Sequence, residues 1–400
     1  MIQFFVDACR AMFSGSRNYW LWLLLLAALV GVGCASYAQQ LRHGLVVTGL
    51  SDQVSWGFYI SNFAFLVGIA AAAVLLVVPA YIFDRKDVKG VVLMGEGIAV
   101  AAVIMAMLFV IVDLGRPERV WHMVPVLGRF NFPLSLLAWD VVVLSGYLLL
   151  NLAIPFYILY SKYRGREPEL RLYFPFVVIA IFWAISIHTV TAFLFSANPA
   201  RPYWHTALLG PRFIASAFAS GPALIILTFQ VIRKVTSYKV SQTAIDLLAV
   251  IMTFAMQINL FFVVAELFTD FYNEGAHSAS IRYLFMGLHG FASLTPWIWT
   301  ALVFNLIAVT ILTIHPLRRK MLTLNIACVL AFFGVWIEKG MGLVVPGFIP
   351  TPLGEIFEYS PSAVEIGVSA GIWALGFLIF SMLAKFVIAV EEGTIRHRPR

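Results

Sequence analysis

Four polar residues lie inside long apolar segments of the chain, and their side chains suit proton-coupled chemistry. Asp140 and His188 exchange protons readily, because the pKa values of such groups respond strongly to burial and to neighbouring charges. Tyr59 and Asn62 are three residues apart, which places them on one face of a helix, and both donate hydrogen bonds to carbonyl oxygens. At a helical rise of about 1.5 Å per residue, all four lie roughly a third of the way in from one end of their segments.

A quinone needs this combination of groups. Its ring and tail are apolar, its carbonyl oxygens need hydrogen-bond partners, and its redox chemistry moves protons together with electrons. We therefore predict a quinone site in which His188 and Asp140 are the catalytic proton carriers, while Tyr59 and Asn62 orient the headgroup. Trp56 is expected to flank the ring. The alternative for each of these residues is a hydrogen bond that only joins neighbouring helices.

Further ionisable residues lie within apolar segments, where each one is costly and is often functional. Glu266 belongs to a polar stripe with Asn259 and Asp270 at helical spacing, and Glu338 lies near the end of another segment. Glu96 lies toward the opposite end of its own segment and is predicted to form a proton path together with Glu266. The alternative for Glu96 is an acid that packs between helices.

A short turn follows the third apolar segment and reads Asp-Leu-Gly-Arg-Pro from Asp113 to Pro117. Gly115 allows a tight turn and Pro117 ends the helix. Asp113 and Arg116 are predicted to form an ion pair at the membrane edge. This pair either fastens the loop, or forms the rim of the quinone site and contacts an electron-carrying partner. We assign Asp113 and Arg116 to the quinone site.

The cysteine and histidine patterns argue against a bound metal cofactor. Cys9, Cys34 and Cys328 form neither C-x-x-C nor C-x-x-C-H, so no iron–sulfur cluster, covalent haem or other metal site is predicted. A haem b needs histidines on facing helices, and a pair formed by His188 and His289 is an alternative that the residues leave open. The sequence also has no phosphate-binding or dinucleotide-binding glycine motif.

The segments that hold these residues are long enough to cross a membrane. The 400-residue chain is 61% hydrophobic and 12% charged, with a mean hydropathy of +0.91, whereas soluble domains have about a quarter charged residues. Its longest apolar runs reach the roughly 20 residues that a helix needs to cross a bilayer core. We predict an all-α polytopic membrane protein with ten spans, at residues 18–38, 57–83, 88–112, 133–160, 172–196, 211–233, 243–268, 284–314, 321–343 and 363–389.

Basic residues are distributed unevenly between the two ends of the predicted spans. Most lie in the N-terminal segment, in the loops after spans two, four, six and eight, and in the C-terminal tail. The opposite side has Arg42, Arg116, Arg119, Arg129, Arg201, Arg212, Arg282 and Lys339. Because basic loops stay in the cytoplasm, we predict a multi-pass protein of the cytoplasmic (inner) membrane with both termini cytoplasmic. The net charge of +7 therefore reflects topology in the lipid membrane, and no nucleic-acid partner is expected.

Small residues and loop positions divide the chain into four predicted parts. Spans two and six both start on the outer side, are rich in small residues and end in a basic loop, which favours close helix contacts. The parts are an N-terminal segment with span one and its outer loop (1–56), a first four-helix bundle with the quinone site (57–196), a second four-helix bundle (197–343), and an outer loop with span ten and the tail (344–400). Spans one and ten are expected to be peripheral.

Three short motifs lie at the outer ends of the predicted spans: the Asp113–Pro117 turn with Trp121, the Trp56-Gly57 pair, and the stretch from Tyr359 to Glu365. Together they resemble the NrfD/PsrC family of polysulfide reductase membrane subunits, and the similarity covers essentially the whole chain. The ten-span length resembles the longer branch of that family. Within it, the chain is most similar to the DsrP branch, which is associated with dissimilatory sulfite reduction.

The resemblance implies two four-helix bundles, a menaquinone site near the outer face, and no redox cofactor bound by the chain itself. Electrons would pass between menaquinone and an extracytoplasmic ferredoxin-like iron–sulfur subunit. Further partners implied by the resemblance are a multihaem cytochrome c, a haem b membrane subunit and a cytoplasmic iron–sulfur subunit. Shorter members use Asn and His on the first bundle helix and Tyr on the fourth. The matching spans two and five have Tyr59, Asn62 and His188 here, so the residue types are permuted.

Two other classes of function are compatible with these observations. A secondary transporter or channel predicts interrupted helices with charged sites at the midplane, where this sequence has almost no charge. A structural anchor, or a proton-conducting subunit without quinone chemistry, is the second alternative. We predict a membrane subunit that oxidises or reduces menaquinone near the outer face, in a complex linked to sulfur or sulfite metabolism.

Overall fold

The computed structural model describes residues 1–124, 126–272 and 275–397. Ten helices in these ranges are long and apolar enough to cross a membrane, which confirms the predicted polytopic α-helical fold. In chain order they are Arg17–His43, Phe58–Ile82, Lys86–Asp113, Leu136–Tyr163, Leu170–Ser196, Leu209–Val235, Gln242–Tyr272, Thr295–Thr313, Met321–Phe348 and Ala363–Glu391, and we call them spans one to ten.

The start of span eight differs from the prediction. The sequence predicted one helix that starts at residue 284. In the structure a separate helix spans Ala276–Met286, and span eight begins only at Thr295. The two helices are separated by a turn in which Gly287, His289 and Gly290 have positive φ angles of 80°, 51° and 89°. Left-handed backbone conformations end a helix, and hydropathy alone does not reveal them.

Two basic residues that were counted with the outer side lie inside spans instead. Arg212 is in the first turn of span six, and Lys339 is the last residue of the helix Met321–Lys339 in span nine. Arg212 and Lys339 are only 8% and 4% exposed. The correction strengthens the charge asymmetry between the two sides, because neither residue belongs to a loop.

The spans pack as two rings of four helices. Spans two, three, four and five form the first bundle, in which each helix contacts the next and span five contacts span two. Spans six, seven, eight and nine form the second bundle in the same way. Spans one and ten pack against each other and lie against span three, outside both rings.

Small residues allow the two bundles to approach closely along spans two and six. A Cβ added at Gly221 would lie only 2.0 Å from Cβ of Ala72, and one added at Gly68 would lie 3.5 Å from Cα of Ala217. The predicted role of small residues in these two spans is therefore confirmed. This close packing brings residues of the first bundle into contact with residues of the second.

Both ends of the described chain lie at the same face of the bundles. The N-terminal helix Ile2–Met12 packs there, with the ring of Phe4 edge-on to Tyr163 and Phe386. The backbone N–H of His397 donates to the carbonyl oxygen of Tyr163 at 2.8 Å. We call this the terminal face. We call the opposite face, where spans one, three, five, seven and nine end, the distal face.

Candidate functional site

Asp140 and His188 lie on neighbouring spans four and five of the first bundle, and Thr191 of span five bonds Asp140. The Thr191 hydroxyl donates to Oδ1 of Asp140 at 3.0 Å, and it is also 2.8 Å from the Ile187 carbonyl oxygen. Nδ1 of His188 is 3.2 Å from the carbonyl oxygen of Ala184, four residues earlier. Asp140 and His188 are 2% and 1% exposed.

One polar atom of each of these two residues has no hydrogen-bond partner. Oδ2 of Asp140 and Nε2 of His188 are both buried and unpartnered in the structure. Buried polar atoms are nearly always satisfied, and leaving one unsatisfied costs about 1–3 kcal/mol. A polar ligand that reached either atom would satisfy it.

Tyr59 and Asn62 are held by other parts of the protein. The Tyr59 hydroxyl donates to Oε1 of Gln40 in span one at 2.7 Å. Oδ1 of Asn62 accepts from the indole nitrogens of Trp336 and Trp373, at 3.1 and 3.0 Å. No hydrogen bond joins Tyr59 or Asn62 to Asp140 or His188 within the described ranges. The structure places the predicted proton carriers on neighbouring spans but gives Tyr59 and Asn62 different neighbours.

Residues from the three sequence motifs meet at the distal face. The Tyr359 hydroxyl donates to Oε1 of Glu365 at 2.5 Å and accepts from the backbone N–H of Phe58 at 2.8 Å. Oε2 of Glu365 accepts from the backbone N–H of Gly49 at 2.6 Å. Burial, and next the Glu365 carboxylate, raise the pKa of Tyr359. We call Gln40, Tyr59, Asp113, Tyr359 and Glu365 the distal cluster.

The predicted ion pair between Asp113 and Arg116 was wrong. Arg116 is exposed and pairs with the exposed Glu118 at 3.5 Å. The helix ends before Leu114, so the side chain of Arg116 turns toward solvent. Asp113 is half-buried, and its Oδ1 is buried and unpartnered. It lies within electrostatic range of Tyr59 and Glu365, so it belongs to the distal cluster instead.

Trp56 lies in an aromatic cluster between the bundles at the distal face. Its ring stacks on Trp204 with a centroid distance of 5.6 Å and an interplanar angle of 25°. Phe195 and Phe348 meet both tryptophans edge-on. The guanidinium of Arg201 lies 4.5 Å from the centroid of Phe348, and its burial lowers the pKa of Arg201. These rings close the junction between the bundles on the distal side.

Glu96 lies on the opposite side of the first bundle. It is 3% exposed, and its Oε2 has no partner. A cavity of about 10 Å³ is lined by Glu96, Tyr147 and Asn151 together with apolar side chains, which is close to the space that one water molecule needs. No hydrogen bond in the described structure links Glu96 to Glu266.

The second bundle contains a buried network of charged and amide side chains. Arg212 binds the carboxylates of both Glu266 and Glu338, the latter at 3.2 Å. Asn305 donates to Oε2 of Glu338 at 2.8 Å, and Asn259 lies 3.2–3.3 Å from both carboxylate oxygens. We call these five residues the charge network. Glu266 was predicted from the sequence as part of a proton path, whereas Arg212 and Asn305 were missed.

Lys339 lies beside the charge network at the junction of the two bundles. Its ammonium group is 4.2 Å from the ring centroid of Phe213 and 3.4 Å from the Phe213 carbonyl oxygen. No carboxylate lies within 4 Å of it in the described structure. It was missed because we counted it with the outer side, although an ionisable residue inside a predicted span was a usable signal.

The histidine pair considered for a haem is not arranged as ligands on facing helices. His188 is buried in span five, whereas His289 is exposed in the turn before span eight. Within the described ranges, no group of at least three His, Cys, Asp or Glu side chains is placed to hold a metal ion.

Comparisons with known proteins agree with the polytopic helical fold. The model of the family described as polysulphide reductase, NrfD, matches residues 46–349. A Halobacterium salinarum protein, provisionally named as a membrane subunit of dimethyl sulfoxide reductase, is 26% identical and aligns over 90% of this chain and 88% of its own. The Hdr-like menaquinol oxidoreductase integral membrane subunit of Archaeoglobus fulgidus is 25% identical, and the alignment covers 95% of this chain and 96% of that subunit. The menaquinone reductase integral membrane subunit of Nitratidesulfovibrio vulgaris is 22% identical, and the alignment covers 99% of this chain and 97% of that subunit.

Proposed function

Because this chain belongs to the polysulphide reductase NrfD family, we propose that it is the membrane subunit of a respiratory oxidoreductase complex and that it exchanges electrons and protons with menaquinone. Two relatives that align over nearly their full lengths are named for menaquinol or menaquinone. The chain also has the apolar surroundings and the buried proton-exchanging groups that a quinone requires.

The observation that carries this proposal is the pair of unpartnered atoms on spans four and five. A quinone oxygen that accepts a hydrogen bond from Nε2 of His188, or a quinol hydroxyl that donates to Oδ2 of Asp140, would satisfy atoms that now lack partners. Both groups can take up a proton, so they can receive the protons released when quinol is oxidised. Thr191 holds Asp140 in place for this step.

The distal cluster and the aromatic cluster have a supporting role in this proposal. Asp113, Tyr59 and Trp56 shape the protein between the quinone site and the distal face, and Arg116 lies at its exposed edge. The distal face would be extracytoplasmic, because the basic loops lie at the terminal face in the cytoplasmic membrane.

Electrons would leave or enter through a ferredoxin-like iron–sulfur subunit that docks at the distal face. The loop between spans three and four offers a surface for it, since Val126, Leu127 and Leu134 are 100%, 70% and 91% exposed. Apolar residues at such exposure are typical of interaction sites. A multihaem cytochrome c, a haem b membrane subunit and a cytoplasmic iron–sulfur subunit would complete a complex of the DsrP type, linked to sulfite metabolism.

The proposal is tested by turnover of a menaquinol analogue in the complex purified with this chain. His188→Ala and Asp140→Asn should each lower turnover by about 100-fold, the scale of a lost general acid–base group. His289→Ala is the matched control, because His289 is exposed outside the spans, and it should keep full turnover. Full turnover by His188→Ala would contradict the proposal and favour a structural anchor.

A further inference from the structure

The charge network lies in the second bundle, and Lys339 lies beside it at the junction with the first bundle. We propose that Lys339, Glu338 and Glu266 form a proton relay that connects His188 with the distal surface. This inference rests on the proposed function, because the quinol supplies the protons.

Lys339 is the first member of the relay. A buried ammonium group is costly unless it is paired, yet this one has only a carbonyl oxygen at 3.4 Å and an aromatic ring at 4.2 Å. It also approaches span two, since a Cβ added at Gly68 would lie 3.2 Å from its Nζ. An amine with so few partners can give up its proton and take up another.

Lys339 and span five, which holds His188, both reach the junction of the bundles. Phe195, seven residues after His188 on span five, has its ring centroid 6.0 Å from that of Phe213, the ring over which the Lys339 ammonium group lies. Nε2 of His188 has no partner. The charged groups within range of Lys339 are Glu338 and Arg212. Lys339 is therefore placed between a proton-accepting ring in the first bundle and a carboxylate in the second.

A cavity joins Lys339 to the carboxylate of Glu338. It measures about 10 Å³ and is lined by Arg212, Ser216, Glu338 and Lys339 with apolar neighbours. That space is close to the minimum for one water molecule, and the polar side chains at its edge are the partners that a buried water needs. A water there would carry a proton between the amine and the carboxylate.

Arg212 connects Glu338 with Glu266 and keeps both carboxylates close to each other. An arginine does not release its proton in proteins, so Arg212 positions the carboxylates and is not itself a relay member. The side chain of Glu338 is 2% exposed and that of Glu266 is 12% exposed. Glu266 is six residues before the end of span seven at Tyr272, about 9 Å along the helix. The relay thus becomes more exposed toward the distal face.

The proton steps balance without another reactant. Oxidation of a quinol releases electrons to the partner subunit and protons to His188. For each proton, the ammonium group of Lys339 first passes its proton to Glu338, from which it moves to Glu266 and leaves at the distal face. The neutral amine of Lys339 then takes up a proton from Nε2 of His188. Every group returns to its starting state, and quinone reduction uses the same steps in reverse.

The test uses the intact complex and measures menaquinol-analogue turnover and quinone binding separately. Lys339→Met removes the titratable amine, and Lys339→Arg keeps the charge but cannot release the proton. Both should bind quinone as the wild type does and lower turnover by about 100-fold. Lys320→Met is the matched control, because Lys320 precedes the first residue of the same span at the terminal face and is exposed. It should keep full turnover.

A second variant distinguishes proton transfer from a structural role. Glu266→Ala should also slow turnover, and a small diffusible acid such as formate should restore it, because Glu266 is partly exposed. Normal turnover by Lys339→Met, loss of quinone binding in that variant, or no rescue of Glu266→Ala by formate would overturn the relay. Absence of quinone-dependent turnover in the wild-type complex would instead refute the proposed function.

Discussion

The hydroxyl group of Tyr359 donates a 2.5 Å hydrogen bond to Oε1 of Glu365, and both side chains are buried at the distal face. The same hydroxyl accepts from the backbone N–H of Phe58, so it connects the start of span ten with the start of span two. The ring also packs on Gly57, where an added Cβ would lie 2.3 Å from it. These contacts place the Trp56-Gly57 pair beside the Tyr359–Glu365 stretch.

Tyr359→Phe should lower the stability of the protein. The substitution leaves the Phe58 N–H and the Glu365 oxygen without this partner in a buried site, at a cost of about 1–3 kcal/mol. Thermal unfolding of the purified protein in detergent measures the effect as a lower Tm. Tyr272→Phe is the control, because Tyr272 is 75% exposed, and its Tm should match the wild type.

The stability contributed by Tyr359 should disappear at alkaline pH. Burial and Glu365 raise its pKa in the folded protein, so the unfolded chain loses this proton first, near pH 10. The contribution is therefore complete below about pH 10 and declines as the pH rises above that value. The Tm difference between wild type and Tyr359→Phe should shrink between about pH 9 and pH 11. A difference that grows over this range would contradict the assignment.

Asn62 should prove to be a structural residue. Its Oδ1 accepts from both Trp336 and Trp373, so Asn62→Leu leaves the two indole N–H groups without their acceptor. We expect a lower Tm and unchanged affinity for a menaquinol analogue, measured by binding to the purified complex. Weaker quinone binding with an unchanged Tm would instead return Asn62 to the quinone site.

The contact between the two bundles should not tolerate an added methyl group at Gly221. Gly221→Ala would bring two Cβ atoms within 2.0 Å, so spans two and six would have to separate, at a cost of about 1–3 kcal/mol. Gly210→Ala on the same span is the control, because an added Cβ there meets nothing within 4 Å. A lower Tm for the first variant alone confirms the contact, and equal Tm values would refute it.

The membrane fold could be predicted from the sequence because continuous apolar runs determine helix length and number. The break before span eight could not, since it depends on left-handed conformations at Gly287, His289 and Gly290. Arg212 and Lys339 were counted with the outer side although the predicted spans 211–233 and 321–343 include both. Both are buried because partners from other spans surround them.

The candidate site could be predicted in residue type but only partly in arrangement. Polar residues in apolar segments identified Asp140, His188, Glu96, Glu266 and Glu338. The hydrogen-bond partners of polar residues in the spans are distant in the chain: Asn62 bonds Trp336, and Asn305 bonds Glu338. Such pairs form through tertiary packing, and the spacing of residues within one helix does not encode them.

The orientation of the chain is predicted by its basic loops. A green fluorescent protein fused to the C-terminal end should fluoresce, because it folds in the cytoplasm. Alkaline phosphatase inserted in the loop between spans nine and ten should be active, because that loop lies at the distal face. The reverse pattern would place the termini outside the cytoplasm and move the proposed docking surface to the cytoplasmic side.

The most direct test of the account is a structure of the complex purified from native membranes with its own quinone bound. We predict a menaquinone headgroup between spans four and five, with an oxygen about 3 Å from Nε2 of His188 or Oδ2 of Asp140. Quinone bound only to another subunit, with spans four and five closed or filled by lipid, would contradict the assignment of quinone chemistry to this chain.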